Sequence, residues 1–190
     1  MPREEIDCFF DTVAASAFSD PITGLHPKCE RELSAVLAVK HLMGKVQWNQ
    51  IIARDVLTQE SIPSSNIVRT QDIAVTEYPL FAQNQDEINR WGQMAPDLVF
   101  LDTSNARLVF VEVKVDSHFT HSNNPPDGQV SRYMEFLAAT KAVEKALIII
   151  CPKCNDDWYS VRLKKAAASA SRSVTTYVII WEDIFPHVKI

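Results

Sequence analysis

The 190-residue sequence predicts an α/β fold, a mixed central sheet flanked by helices on both faces. Three observations carry this expectation. Apolar residues recur at helical spacing early in the chain, β-branched runs with a period of two fill its middle, and strand-like and helical segments alternate towards its end. With 46% apolar and 23% charged residues, the chain is long enough for one substantial core, so a single domain over 1–190 is expected.

Ile6, Phe9, Phe10 and Val13 lie at helical spacing, which predicts an accessory helix within residues 1–20 that ends at Asp20-Pro21. Pro27 suits the first turn of a second helix, with Cys29, Leu33, Val36, Leu37 and Met43 as its buried stripe and Gly44 near its end. Residues 46–58 are expected to add a short helix. Ile73, Val75 and Tyr78 alternate within a β-branched stretch, predicting a strand over 67–79, followed by a polar connection over 81–95. Residues 97–101 and 107–115 read as two strands, and Asp102-Thr-Ser-Asn-Ala106 between them has turn-forming composition, so an antiparallel hairpin is expected. Pro125 and Pro126 interrupt a loop over 117–128. A helix over 129–144 buries Val130, Tyr133, Met134 and Leu137, and then come a strand over 146–151, a helix over 158–171 and a strand over 175–181. The first three strands should form an antiparallel meander.

Composition excludes several functions. Only four glycines occur (Gly24, Gly44, Gly92, Gly128) where average usage would give about thirteen, so the clustered glycines of a phosphate-cradling loop are absent. A net charge of −5 argues against coating nucleic acid through bulk positive charge, though not against a local basic groove. No apolar run is long enough to span a bilayer and the first residues lack a signal pattern, so no membrane partner is expected and the chain should stay in the cytoplasm or nucleus. Four cysteines are too few for a disulfide scaffold.

The stretch from Pro96-Asp97 to Lys114 carries the chemistry. A period of two puts Leu108, Phe110, Glu112 and Lys114 on one face of their strand and Val109, Val111, Val113 and Val115 on the other. The valine face belongs in a core, whereas a glutamate and a lysine two residues apart are nothing that packing requires. If the hairpin turns about Ser104 and Asn105, Asp97 falls directly across from Glu112, with Cβ atoms about 5 Å apart. Carboxylates so placed repel unless something positive lies between them, and a hard divalent cation such as Mg²⁺ is the natural occupant.

Pro96-Asp97, fourteen residues, then Glu112-Val-Lys114 resembles the signature of the PD-(D/E)XK nuclease superfamily, the restriction-endonuclease-like fold with an αβββαβ core, here over about 26–183. Gln129-Val-Ser-Arg-Tyr133 is similar to the Q-x-x-x-Y motif of the RecB-like branch, and residues at i and i+4 share a helical face. Cys29-Glu-Arg-Glu-Leu33 resembles the glutamate-bearing first helix of archaeal Holliday-junction resolvases. Helical spacing puts Glu30 and Glu32 at opposite edges of the buried stripe, so the preference for Glu30 comes from the resemblance alone. The distance from Glu30 to Asp97 exceeds that of compact resolvases and implies an insertion.

The resemblance implies a metal-dependent nuclease cleaving phosphodiester bonds, with DNA the favoured substrate and a catalytically silent binding module the rival. It implies that Asp97, Glu112 and the Val113 carbonyl hold Mg²⁺, or Mn²⁺ in its place, with Glu30 assisting. Lys114 would orient the attacking water or neutralise the phosphate, Gln129 would support the site and Tyr133 would touch the substrate. A resolvase or restriction-type enzyme needs two sites and hence a homodimer.

Other features weigh less. Cys151-Pro-Lys-Cys154 could be half a zinc site, but Cys8 and Cys29 are isolated, so a strand-end turn is expected. His118 and His121 follow the lysine strand and read as solvated loop residues, and Glu77 as a strand-end surface residue. Residues 128–190 hold nine basic and six acidic side chains, against eight and thirteen in 1–95, so Arg132, Lys141, Lys145, Arg162, Lys164 and Lys165 are the candidates for phosphate contacts.

Overall fold

A computed structural model describes residues 30–77, 95–115, 128–153, 156–169 and 173–185. The expected N-terminal helix, Cys8, Cys29, His118, His121 and Cys154, and the side chain of Arg162, lie outside what is described. The chain folds as helix α1 (Glu30–Leu42), strands β1 (Ile52–Asp55), β2 (Ser61–Pro63), β3 (Ile73–Thr76), β4 (Leu98–Asp102) and β5 (Arg107–Val113), helix α2 (Gln129–Ala139), strand β6 (Glu144–Cys151), helix α3 (Asp156–Ser169), strand β7 (Thr175–Ile180) and the one-turn helix α4 (Trp181–Ile184). One mixed sheet results, in the order β2-β1-β7-β6-β5-β4-β3.

The meander β3-β4-β5 is antiparallel, while β6 and β7 follow β5 in parallel through α2 and α3. The hairpin register is the expected one: Leu98 faces Val111, Val99 faces Phe110 and Asp102 faces Arg107. Its turn is held by Asp102, whose Oδ1 accepts the Ser104 and Asn105 amides at 2.9 and 3.2 Å. Strand alternation then divides the core. Val109, Val111, Val113 and Val115 pack with Leu33, Val36 and Leu37 of α1, whereas Phe110 packs with Val130, Tyr133, Met134 and Leu137 of α2 on the other face. The sheet is therefore covered on both sides, as its near-continuous apolar strands require.

Helix α1 ends in a Schellman motif. Gly44 takes a φ of 67°, its amide bonds the His41 carbonyl at 2.9 Å, and the Lys45 amide bonds the Lys40 carbonyl at 2.8 Å. Met43, expected in the buried stripe, lies past the last turn and is 37% exposed.

Residues 46–58 are not helical. Trp48 is drawn inward, where its Nε1 donates to His41 Nδ1 at 2.9 Å, leaving His41 Nε2 to donate to the Asp72 carbonyl at 2.8 Å. Beyond it, β1 and β2 form a short hairpin whose turn is set by Asp55, with Oδ1 accepting the Leu57 and Thr58 amides at 2.7 and 3.0 Å. This hairpin lies between α1 and the meander in the chain, and it adds to the far side of the sheet, antiparallel to β7. The strand expected over 67–79 is confined to Ile73–Thr76, because Ile67 and Val68 follow a 3-10 turn over Ser64–Asn66 and the Asp72 carboxylate takes the Arg69 amide at 2.9 Å.

Other boundaries shift for local reasons. Helix α2 stops at Ala139 instead of residue 144, since Lys145 Nζ donates to the Ala138 and Thr140 carbonyls at 3.1 and 2.7 Å and caps the end. Trp181 opens α4 instead of closing β7. Among the described residues, no helix is long and apolar enough to cross a membrane.

Candidate metal and nucleic-acid site

The polar residues singled out in the sequence converge where β4 begins and β5 ends. Pairing of β4 with β5 stops at Leu98 and Val111, so the next pair in register is Asp97 and Glu112. The Asp97 carboxylate turns onto the freed strand edge, where Oδ2 accepts the Val113 amide at 2.7 Å and so lies against the peptide that leaves Glu112. The Lys114 amide bonds the Ile150 carbonyl of β6 at 2.8 Å. Backbone groups alternate along a strand, so the Val113 carbonyl faces the Asp97 side, where β4 no longer pairs.

Glu30, in the first turn of α1, completes this edge. Its Oε1 accepts the Val115 amide at 3.0 Å and its Oε2 lies 3.7 Å from Lys114 Nζ. Tertiary contact thus brings Glu30 to the cluster; Glu32 is half-buried on the same turn. Lys114 Nζ is also 2.6 Å from Glu112 Oε1.

Helix α2 supplies the other wall. Gln129 Nε2 donates to Glu112 Oε1 at 2.7 Å, within 3.0 Å of the Tyr133 hydroxyl, and that hydroxyl donates to the Ala95 carbonyl at 3.0 Å. The i and i+4 pair therefore ties the segment before Asp97 to Glu112. Tyr133 is 1% exposed, so the expected substrate contact is replaced by an internal one, made because the phenol packs edge-on against Phe110 beneath the sheet. Ala95 and the Val115 amide were missed in the sequence, because backbone groups carry no residue-type signal.

The electrostatics follow from burial. Glu112 is 2% exposed, and burial together with the Asp97 charge pushes its pKa up to about 7 against the relief given by Lys114. Burial likewise raises Asp97 to about 6, opposed by the Val113 amide and Lys114 and reinforced by Glu30 and Glu77. Burial pulls Lys114 down, but its contacts with Glu112, Glu30 and Asp97 outweigh that and leave it above the usual lysine value. Burial, first, and then the Glu112 charge hold the Tyr133 phenol firmly protonated.

Glu112 Oε2 is buried and bonds nothing among the described residues. No three His, Cys, Asp or Glu side chains among them stand together as a ready-made metal cage. The oxygens of Asp97, Glu112 and the Val113 carbonyl are of the kind a hard cation takes, and the orphan Glu112 oxygen fits such a ligand.

The remaining candidates lie elsewhere. Glu77 sits on the rim, paired with Arg31, and its amide donates to the Asp97 carbonyl at 3.1 Å. Arg132 is half-buried with Nε lacking a partner among the described residues. Lys141 is exposed past the C-terminal end of α2, whose span from Gln129 to Ala139 is about 15 Å, so it lies at the opposite end of the helix from the cluster. Lys145 is committed to capping α2, while Lys164 and Lys165 are exposed on α3. Cys151 is the buried last residue of β6 and part of the core.

The chain matches no protein-family model, no curated protein and no solved structure.

Proposed function

We propose that this protein is a divalent-cation-dependent phosphodiesterase of the PD-(D/E)XK kind, acting on nucleic acid with DNA favoured. The observation that carries the reading is the convergence of Glu30, Asp97, Glu112, Lys114 and Gln129, drawn from three separate stretches of chain, at the C-terminal end of strand β5. Core packing does not require that cluster, and the two carboxylates are short of positive charge.

Asp97, Glu112 and the Val113 carbonyl would hold Mg²⁺, with Glu30 beside them. When bound, the cation supplies an acidified water and offsets charge developing on the scissile phosphate. Lys114 places an ammonium beside the same pocket, suited to steadying the phosphate or the attacking water. Gln129 fixes the Glu112 carboxylate, and Tyr133 holds the approach to Asp97. A cytoplasmic setting and a homodimer acting on both strands belong to this proposal as well.

One observation favours a catalytically silent binding module instead: Asp97 and Glu30 each spend one oxygen on a backbone amide, as strand-capping carboxylates do. The deciding experiment incubates the protein with labelled linear, circular and branched DNA and with RNA, in Mg²⁺, Mn²⁺ or EDTA. Cation-dependent products that vanish in EDTA support the enzyme; binding without product under every condition supports the silent module.

A further inference from the structure

Lys114 is 6% exposed, yet its ammonium is a compact, strongly hydrated charge with three donors and no acceptor. Its burial is offset by Glu112 Oε1 at 2.6 Å and Glu30 Oε2 at 3.7 Å. Beside Glu112 the Gln129 amide and the Tyr133 phenol are neutral, the Asp97 carboxylate adds negative charge, and Arg31 is engaged on the rim by Glu77. The lysine thus stands where positive charge is needed, but it reaches only one of the Glu112 oxygens, and Oε2 stays buried with no partner among the described residues.

A second, doubly charged cation taken up by the same carboxylates would meet this ammonium in a site where little water screens the two. Like charges in a medium of low effective dielectric repel strongly over a few ångströms. Glu112 cannot satisfy both equally, and of the two partners the lysine is on a flexible stem.

We propose that Lys114 is the resident counter-ion of the cation-free pocket, and that a divalent cation arriving at Asp97 and Glu112 drives its ammonium off Glu112. The inference rests on the reading under Proposed function. It makes the lysine self-gating: held on Glu112 without the cation, and released to meet an anionic substrate when the cation is in place.

The test needs no nucleic acid. Mg²⁺ is titrated calorimetrically into the wild type and Lys114→Met at pH 8.5, where the variant is expected to bind about tenfold more tightly because the competing charge is gone. In parallel, the wild type is acetylated with trace acetic anhydride and read by mass spectrometry, with exposed Lys164 and Lys165 as internal references. Labelling of Lys114 is expected to rise on adding Mg²⁺ while the references stay constant; this arm decides if Lys114→Met does not fold. Equal or weaker binding by a folded Lys114→Met, or Lys114 labelling that is unchanged or reduced by bound Mg²⁺, overturns the counter-ion role and leaves the cation site standing. No Mg²⁺ binding by either protein overturns the functional reading itself.

Discussion

At the first residue of β5, Arg107 is buried with its guanidinium shared among three carboxylates; just past the last residue of the same strand, Lys114 is buried among three others. The arginine end is the more fully paired of the two. Arg107 is 2% exposed; Nη2 reaches Asp72 at 2.6 Å and Asp102 at 3.0 Å, and Nη1 reaches Glu144 at 3.2 Å, with Nε alone left without a partner among the described residues. The Asn105 side chain, the turn amides and Arg107 hold Asp102 below the usual carboxylate range, despite its burial. At the lysine end the shifts run the other way, with Asp97 at about 6 and Glu112 at about 7, and one buried oxygen is unsatisfied.

The difference lies in the donors. A planar guanidinium offers a fork of hydrogens to several acceptors at once and the turn adds its amides, whereas an ammonium is a point charge that reaches one Glu112 oxygen. Buried charge at a strand end is therefore no mark of a site by itself. The lysine end keeps carboxylates with raised pKa values and a carboxylate oxygen without a partner among the described residues, whereas the arginine end is held by three ion pairs.

If that contrast holds, Arg107→Met should produce the largest loss of stability. It strands Asp72 and Asp102 without their cation, and urea denaturation should register a loss of about 3–5 kcal/mol. A loss under about 1 kcal/mol would erase the distinction between the two ends.

Substitutions at the lysine end should spare the fold and remove the chemistry. Asp97→Ala or Lys114→Ala is expected to lower cleavage at least about 100-fold with an unchanged far-ultraviolet circular dichroism spectrum. Full activity in either folded variant would remove these residues from the site.

The third comparison is by pH. A carboxyl whose folded pKa is raised favours the fold when protonated, so its contribution is complete below about pH 4 and is lost as pH rises through about 6 for Asp97 and about 7 for Glu112. The cation-free protein should therefore lose on the order of 3–4 kcal/mol of stability from these two groups between about pH 5 and 8. Saturating Mg²⁺ should flatten that slope, which thermal melts across the range would reveal. The lowered pKa of Asp102 acts in the opposite sense: its contribution is present above its ordinary value and is lost as pH falls through the depressed one.

The smallest effect should come from Tyr133→Phe, which keeps the ring in the core and deletes one hydroxyl. A loss of about 1 kcal/mol is expected, with Mg²⁺ affinity falling in step because the segment before Asp97 is freed. Unchanged Mg²⁺ affinity would show that the Tyr133 tether does not position Asp97.

Much of the site was legible because it is local. The turn composition of 102–106 set the hairpin register, the register set Asp97 against Glu112, and a period of two set Lys114 beside Glu112. Helical spacing likewise put Gln129 and Tyr133 on one face, where they share a hydrogen bond. The stretch over 46–58, expected to be helical, instead enters the β1-β2 hairpin, because four- and three-residue strands are too short to show a period of two. Tyr133 lies on the buried face that helical spacing predicts, together with Val130, Met134 and Leu137, and the bond of its hydroxyl to the Ala95 carbonyl is what spacing does not encode.

By itself, then, the sequence determined the α/β class, the hairpin and its opposed carboxylates, since backbone periodicity and turn chemistry act between neighbours in the chain. Only the tertiary structure decided that Glu30 meets the Val115 amide across 85 positions, that Asp72 closes on Arg107 across 35, and that Lys145 caps a helix. Those pairings depend on how α1 and the sheet pack, and a buried charge finds its partner by proximity in space, which residue spacing does not encode.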